Sequence, residues 1–434
     1  KVNIFVVVIF NMYLIGLVSG PLLVNLFILS LLVIYLKYLK QINLFSIKNY
    51  NLSIKLQIIF CIYLVLNSFF IGDEINLFYK SLFFFRFFLI AFVISQILDF
   101  GTKALNIIII CFLIFSVLLG IDIFYQYLTG YDFFGYAPGL CTYPGGISNF
   151  DPNNCERFSG FFGKELIAGS FLTSYGLMFL YLFFSRFDKF KYVKIISLLI
   201  LIIFLLAIIL SGERNAILAL VIIFTFNLIF NTKLRKKLIL IASLIIIIFT
   251  ILFNSVDNVK YRYFEWPIEY VDSMKSDGFK KLLDTSWGSH YVTSYEIFLD
   301  NIIFGSGFKS FRNECQNSKY KVQKLNEKYN LNIRETGCSS HPHNFYLELL
   351  SELGLAGFVL FLMILYFIVF HPFIRNFKFI KNESEIIIIL SIVLTYLFPF
   401  KPTGSYSSSV FSTNLWFFIG FYLYFLNNLK YKNK

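Results

Sequence analysis

Nearly uncharged runs such as IISLLILIIFLLAIIL (195–210) and KLILIASLIIIIFTILF (237–253) leave this chain few folds to choose from. Each can cross a hydrocarbon core of about 30 Å as a helix. Of 434 residues, 58% are hydrophobic and 15% charged, whereas soluble domains average about 45–50% and 25%. The chain is therefore expected to be an all-α integral membrane protein with about twelve transmembrane helices. Its richness in Phe, Ile, Lys and Asn fits nucleotide bias and is given no functional weight. The formal charge of +13 would suit nucleic acid, but Lys and Arg fall in short clusters between apolar runs, as in cytoplasmic loops. The expected surroundings are membrane lipid, with no nucleic acid partner.

Hydropathy places the spans, each roughly 17–20 residues, near 3–19, 22–38, 55–72, 82–98, 104–124, 165–184, 193–211, 214–231, 236–254, 350–370, 385–400 and 409–427. The basic clusters are Lys37, Lys40, Lys48 and Lys55; Arg186, Lys189, Lys191 and Lys194; Lys233, Arg235, Lys236 and Lys237; Arg375, Lys378 and Lys381; and Lys430, Lys432 and Lys434. With these spans all of them fall on one side, which the positive-inside rule makes the cytoplasm, and both termini lie there. Residues 4–19 have the look of a signal peptide, but no small-residue cleavage site leads into a soluble domain, so a retained first helix is expected. The organisation that follows is N-terminal transmembrane helices over 1–124, a first extracytoplasmic loop at 125–164 and central transmembrane helices over 165–254. A large extracytoplasmic loop at 255–349 and C-terminal transmembrane helices over 350–434 complete it.

Cys141 and Cys155 share the first of these loops, and Cys315 and Cys338 the second. Disulfides persist on that side of a membrane. One pair per loop is expected, with four free thiols as the alternative, since sequence does not determine connectivity. Cys61 and Cys111 fall inside spans and are expected to be inert. The first loop, rich in Gly, Pro, Asn and Tyr, is expected to be irregular. The second is expected to be partly helical: DTSWGSHYVTSYEIFLDN suggests a helix opening at Asp284 or Ser286, followed by a glycine turn, FGSGF.

Polar groups with chemical potential concentrate on this outer side. Arg214 sits in the turn SGERNA between two apolar runs. It is either an arginine snorkelling to the interface or a forked guanidinium facing a phosphate. Glu213 beside it is either its orienting partner or a solvated charge. Arg157, in CERFSGFFGKEL, is either a loop charge or a second clamp on the same anion, with Lys164 behind it. His343 and Asn344 stand where the large loop runs into an apolar helix, HPHNFYLELLSELGLAGFVLFLMILYF. An imidazole there suits proton handling or holding an acceptor hydroxyl, and Asn344 can orient substrate. His341 and His290 are the nearest histidines, but no carboxylate cluster completes a ligand set, and no metal is expected. Glu348 and Glu352 need not share the face of His343. Gly354 and Gly357 suit a close helix approach. His371 reads as structural, whereas Arg86 lies within a span and keeps a functional reading. No Gly-rich phosphate loop, Asp-x-Asp pair or Ser-His-Asp set is present.

The run from His343 through Asn344 to Gly354 and Gly357 resembles the His-Asn-x9-Gly-x-x-Gly signature of the O-antigen ligase and O-antigen polymerase superfamily. SGERNAILAL resembles that family's Ser-Gly-x-Arg motif, LDNIIFGSGFKSF its Asp-Asn-Pro-x-x-Gly-x-Gly segment, and RFSGFFG its Arg-x-x-Gly motif before a span. The likeness covers roughly residues 100–370; the first 100 share only hydropathy. Two departures stand out. The arginine often found near the start of the helix at 286–300 is absent, with His290 as a stand-in, and the proline is missing from DNIIFGSG.

The resemblance implies a bacterial inner-membrane glycosyltransferase whose active site faces the periplasm. It would move a glycan from undecaprenyl diphosphate to an acceptor sugar hydroxyl, with inversion and with neither metal nor cofactor. Arg214 and Arg157 would hold the diphosphate, and His343 would activate or position the acceptor. An O-antigen ligase using a lipid A-core acceptor is the leading expectation. A polymerase extending the lipid-linked glycan is the alternative, with a protein O-oligosaccharyltransferase behind it. A lipid-glycan transporter would instead place ionisable groups on broken helices at mid-membrane.

Overall fold

Backbone amides inside a bilayer must bond within their own segment or to another part of the protein, because no water is present to take them. The computed structural model describes residues 2–37, 51–71, 75–98, 101–141, 155–278, 283–333 and 336–432. Lys40, Lys48, Lys434 and residues 142–154 of the first loop lie outside the described residues, as do the side chains of Cys141, Lys430 and Lys432. Among the described residues, eight helices are long and apolar enough to cross a membrane: Asn51–Phe70, Ile75–Ile97, Thr102–Thr129, Ala168–Phe187, Val193–Leu210, Arg235–Ser255, Phe345–Arg375 and Ser409–Leu429. Four shorter apolar helices, Ile4–Ser19, Pro21–Leu36, Arg214–Phe230 and Ser384–Tyr396, stand at the remaining hydropathy segments. The fold is all-α and polytopic, apart from a short antiparallel strand pair in the first loop, β1 (Gly139–Cys141) with β2 (Cys155–Arg157). The chain divides into two compact units.

One unit comprises Lys1–Phe27, Ile97–Tyr270 and Lys378–Thr395. Its Thr102–Thr129 helix touches the Val2–Ser19, Val193–Leu210 and Leu177–Phe187 helices. Aromatic rings fill the contact. Phe112 stacks on Phe179 at 4.2 Å and Phe171 on Tyr175 at 4.9 Å. The buried hydroxyls of Tyr13 and Tyr175 bond each other at 2.7 Å, so neither is stranded in apolar surroundings. At Ser211 and Gly212 the chain turns sharply into the Arg214–Phe230 helix. Gly212 has φ 63°, and a Cβ there would run into the Glu156 carbonyl of β2. Only glycine admits both the turn and the approaching strand.

The other unit comprises Ile28–Gln96, Val271–Phe377 and Tyr396–Lys434. Phe60, Phe88, Phe361 and Trp416 form part of its interior, with ring centroids 4.8–5.9 Å apart. The large loop is partly helical and carries two small cores of its own. Ile297, Phe311, Cys315 and Tyr320 pack with Cys338, and Val292 packs with Leu325 and Ile333. Cys315 and Cys338 are joined by a disulfide, closing a loop of 23 residues. Such a closure stabilises by about 3 kcal/mol in the chain-entropy account. In the first loop, Cys155 is disulfide-bonded and its Cα stands opposite that of Cys141. Cys61 and Cys111 are free.

The Phe345–Leu365 helix is interrupted at Gly354, whose φ of 63° and ψ of −169° are not helical. The interruption is filled by the glycine turn of the large loop. Leu355 and Ala356 donate their N–H groups to the carbonyls of Ile302 and Ile303 at 2.8 and 3.1 Å. In return Ser306 and Gly307 donate to the carbonyls of Ser351 and Glu352, each at 2.9 Å. The turn is held from behind by the Asn51–Phe70 helix. Tyr63 donates to the Leu353 carbonyl at 2.6 Å, and the Asn67 amide donates to Phe304 O and accepts from Phe308 N. Gly357 is a close helix approach, since a Cβ there would meet the Tyr63 ring. Gly354 does something else: it is where one backbone enters another. A Cβ on Gly354 would meet the Ile303 carbonyl at an unfavourable φ. Gly354→Ala is therefore expected to destabilise the protein by about 2 kcal/mol or more. A thermal unfolding midpoint in detergent equal to wild type would contradict this use of Gly354.

Candidate active site

Asn344 opens the Phe345–Leu365 helix. Its side-chain oxygen accepts from the N–H groups of Tyr346 and Leu347 at 3.0 and 3.2 Å, and its amide donates to Pro399 O at 2.8 Å. An N-cap satisfies amides that have no partner within the helix. With both ends of the amide engaged, Asn344 holds backbone rather than presenting a free group. Directly before it, His343 adopts φ 55°, a left-handed conformation rare outside glycine. The kink is pinned by the His343 carbonyl, which accepts from Thr403 N at 2.7 Å, while Thr403 Oγ1 accepts from Phe345 N. The ring is thereby thrown off the helix end.

Around that ring gather residues distant in sequence. Thr285, between the two expected positions, caps the Ser286–Asp300 helix by accepting from Gly288 N at 3.0 Å. Trp287 and His290 lie one turn apart on this helix. The Trp287 ring meets His343 edge-on at 4.3 Å, and His290 and His341 stand 5.5 and 4.2 Å from it. The helix is fastened to its neighbour by Ser294, which donates to Leu347 O and bonds Ser351, each at 3.0 Å. His341 Nδ1 bonds Ser340 at 2.9 Å, whereas His341 Nε2 and His290 Nδ1 are buried with no partner. The His343 ring nitrogens make no hydrogen bond among the described residues. Burial, reinforced by the other two histidines, lowers His343 to about 3, and burial lowers His341 to about 4. Both are neutral at pH 7. Among the described residues no group of three or more His, Cys, Asp or Glu is arranged to hold a metal.

The arginines assemble in the other unit. Arg214 begins the Arg214–Phe230 helix; its guanidinium lies 3.6 Å over the Trp266 ring and its Nε donates to Arg262 O at 3.2 Å. Arg262, on the π-helical turn Tyr261–Glu265, donates from Nε to Gly212 O at 3.0 Å and pairs with Glu156. Arg157 donates to Leu166 O at 2.5 Å, and its Nε is buried without a partner. Burial lowers the Arg157 pKa; nearby Glu213 opposes that and Arg262 adds to it. Glu213 is not a solvated charge: it is buried and accepts from Ser170 N at 2.8 Å and from the Ser170 hydroxyl. Three guanidinium groups thus meet two carboxylates, Glu156 and Glu213, an excess of positive charge suited to an anion. Lys164 is exposed and makes no contact with them among the described residues. His343, His341 and His290 fall in one unit, and Arg157 and Arg214 in the other.

The sequence reading missed Arg262, Trp266 and Trp287. Arg262 carried a usable signal: a lone arginine between tyrosines just beyond the Arg235–Ser255 span. Nothing local marked Trp287 as a neighbour of His343.

Residues 198–362 match the family model described as O-Antigen ligase. The match bears out the resemblance carried by SGERNAILAL and the His343 motif. It takes in Arg214, Arg262, His290, His341 and His343, and leaves Arg157 and Lys164 outside. A search of curated proteins finds no match.

The lowered imidazoles have a consequence for stability. The unfolded histidines take up protons near pH 6.5, whereas folded His343 and His341 resist until about 3 and about 4. Stability contributed by the neutral rings is complete above about pH 6.5 and declines as pH falls below it. His343→Gln is expected to flatten the fall in unfolding midpoint between about pH 6.5 and 4; an unchanged slope would contradict the burial of a neutral ring.

Proposed function

We propose that this chain, which carries an O-antigen ligase domain, transfers a glycan from undecaprenyl diphosphate to a sugar hydroxyl at the outer face of the bacterial inner membrane. The bond formed joins the acceptor oxygen to the anomeric carbon; the bond broken joins that carbon to the diphosphate. The hydroxyl proton must leave the oxygen, and negative charge must be accommodated on the departing diphosphate. Arg214, Arg157 and Arg262 take the second task, as fixed guanidinium donors that need no reorganisation while charge develops. His343 takes the first. The observation that carries the reading is its neutral, unpartnered imidazole, held in a left-handed backbone conformation beside Trp287.

With its pKa near 3, His343 is a weak base. It accepts a hydrogen bond from the hydroxyl and receives the proton late, once the new bond has made the oxygen acidic. His341 and His290 stand beside the same ring, and Asn344 positions His343 through the helix cap. Diphosphate is already a good leaving group, so the reaction as proposed draws on no metal or cofactor, and a single displacement by the acceptor oxygen inverts the anomeric carbon. Both substrates are held at one membrane surface, which replaces much of the entropy of encounter. The acceptor is lipid A-core in this reading, with a growing glycan as the polymerase alternative.

Replacing the wild-type gene by a His343→Ala allele should abolish polymer on lipopolysaccharide gels at normal protein abundance. Accumulation of long lipid-linked chains identifies a ligase, and a single-repeat cap a polymerase. Normal glycan attachment would remove His343 from the chemistry. Arg214→Lys keeps the charge but loses the forked donors and the flat stack on Trp266. Its kcat/KM in reconstituted membranes should fall about tenfold or more, the equivalent of roughly 1.4 kcal/mol; full activity would refute bidentate phosphate binding.

A further inference from the structure

The large loop contains a groove that the proposed chemistry does not use. It draws Cys315, Tyr320 and Cys338 from one of the loop's small cores and Val322 and Ile333 from the other, and encloses about 510 Å³. That falls within the usual range for small-molecule sites, about 300–1,000 Å³. The Cys315–Cys338 disulfide belongs to its lining. So does Asn326, whose amide clasps Ile333, donating to its carbonyl at 2.9 Å and accepting from its N–H at 3.0 Å. A covalent bond and hydrogen bonds thus shape the groove before any ligand arrives.

The rest of the lining is polar and largely unspent. Gln323 is exposed, and its amide makes no hydrogen bond among the described residues. Gln316 gives one N–H to Arg312 O at 3.2 Å and keeps its carbonyl oxygen. Thr336 Oγ1 accepts from Cys338 N at 3.2 Å and keeps its own hydrogen to donate. Among the described residues Lys321 is the one charge in the lining. Carboxamides and hydroxyls both donate and accept, which matches the hydroxyls of a sugar. Buried Tyr320 and Ile333 and half-buried Val322 supply apolar surface for the C–H face of a sugar ring. None of the described lining residues is an exposed aromatic or aliphatic side chain, so the groove lacks the anchors that protein partners use.

The groove is also joined to the surroundings of His343. Its Thr336–Cys338 edge is fastened to the Ser286–Asp300 helix: Ser289 donates to Thr336 O at 3.1 Å, and a Cβ on Gly337 would run into Thr293. Ser289 adjoins His290, whose ring stands 5.5 Å from that of His343. From Gly337 the chain reaches His343 in six residues, a span of at most about 21 Å and the scale of a short oligosaccharide. We infer that this groove is a subsite for uncharged sugar units of the acceptor glycan, seated away from the reacting hydroxyl. The inference rests on the proposed role of His343 toward the acceptor. Sugar units held here orient the chain that carries the hydroxyl. They also confer selectivity, because a ligand without the matching hydroxyls leaves the amides unpaired.

The test uses the full chain in phosphatidylcholine nanodiscs and two dephosphorylated probes, each released by mild acid from the source bacterium. One is core oligosaccharide from its lipopolysaccharide, the other repeat glycan from its undecaprenyl carrier. At least one should bind wild type with a Kd of about 10 mM or tighter. Gln323→Leu keeps the bulk but loses the hydrogen bonds, and should weaken binding about fivefold. Gln323→Trp, which fills the groove, should weaken it at least about tenfold at an unchanged unfolding midpoint. Binding by neither probe, or equal affinity in both variants, overturns the subsite. Equal competition by a Gly-Ser-Asn peptide overturns its assignment to sugar. In transfer assays Gln323→Trp should raise the KM for the acceptor and not that for the lipid-linked donor; the reverse overturns the assignment to the acceptor. His343→Ala should lose transfer and keep the Gln323-dependent binding. Full transfer by His343→Ala would overturn the link to the acceptor, and the titration would still decide the groove by itself.

Discussion

The break at Gly354 is the constraint around which this unit is organised. An interrupted helix in apolar surroundings leaves amides and carbonyls without partners, at a cost too large to leave unmet. The Ile302–Gly307 turn meets that need with two bonds in each direction. Because the bonds are reciprocal, the turn and the helix position each other. The Ser286–Asp300 helix, which leads into the turn, is thereby fixed against the helix that His343 precedes. Trp287 and His290 arrive beside His343 as a result.

Burial disfavours the charged form in both units, with different outcomes for the histidines of one and the arginines of the other. His343 and His341 are desolvated and neutral at pH 7, so they accept hydrogen bonds rather than carry charge. The arginines of the other unit keep their charge, since a guanidinium does not release its proton in ordinary conditions. Stacking on Trp266 holds the Arg214 plane without using up its donors. In the transfer proposed above, a neutral acceptor would serve the hydroxyl and permanent cations the anionic leaving group.

Much of the layout was legible along the chain. Among the described residues, apolar runs located the eight helices long enough to span and the four shorter apolar ones, because hydrocarbon thickness sets span length directly. Cys315 and Cys338 could be paired in expectation because both belong to one loop, and they are joined. The motif residues His343 and Arg214 were visible because polar groups between apolar runs are conspicuous. Asn344 was misjudged in emphasis. Asn at the start of a helix is a common cap, and here its amide is committed to Tyr346, Leu347 and Pro399. Gly354 was read as a packing residue because a small residue looks the same in sequence whether a helix passes beside it or ends at it.

What sequence alone determined is therefore whatever depends on one segment and its solvent: which runs enter the membrane, which helices they form, where a helix starts, and where charge is conspicuous. The tertiary structure decided what depends on two segments at once. Tyr63 and Asn67, in a region that shared only hydropathy with the family, hold the turn behind Gly354. Arg262 is tied to the Arg214 segment through the carbonyls of Arg262 and Gly212, and to Glu156 beside Arg157 by an ion pair, none of which a motif encodes. The pKa of His343 moves because of burial and of its neighbours, of which His341 is local and His290 comes from a helix distant in sequence. Desolvation and hydrogen-bond closure are properties of a packed environment, and that environment exists only after the segments have met.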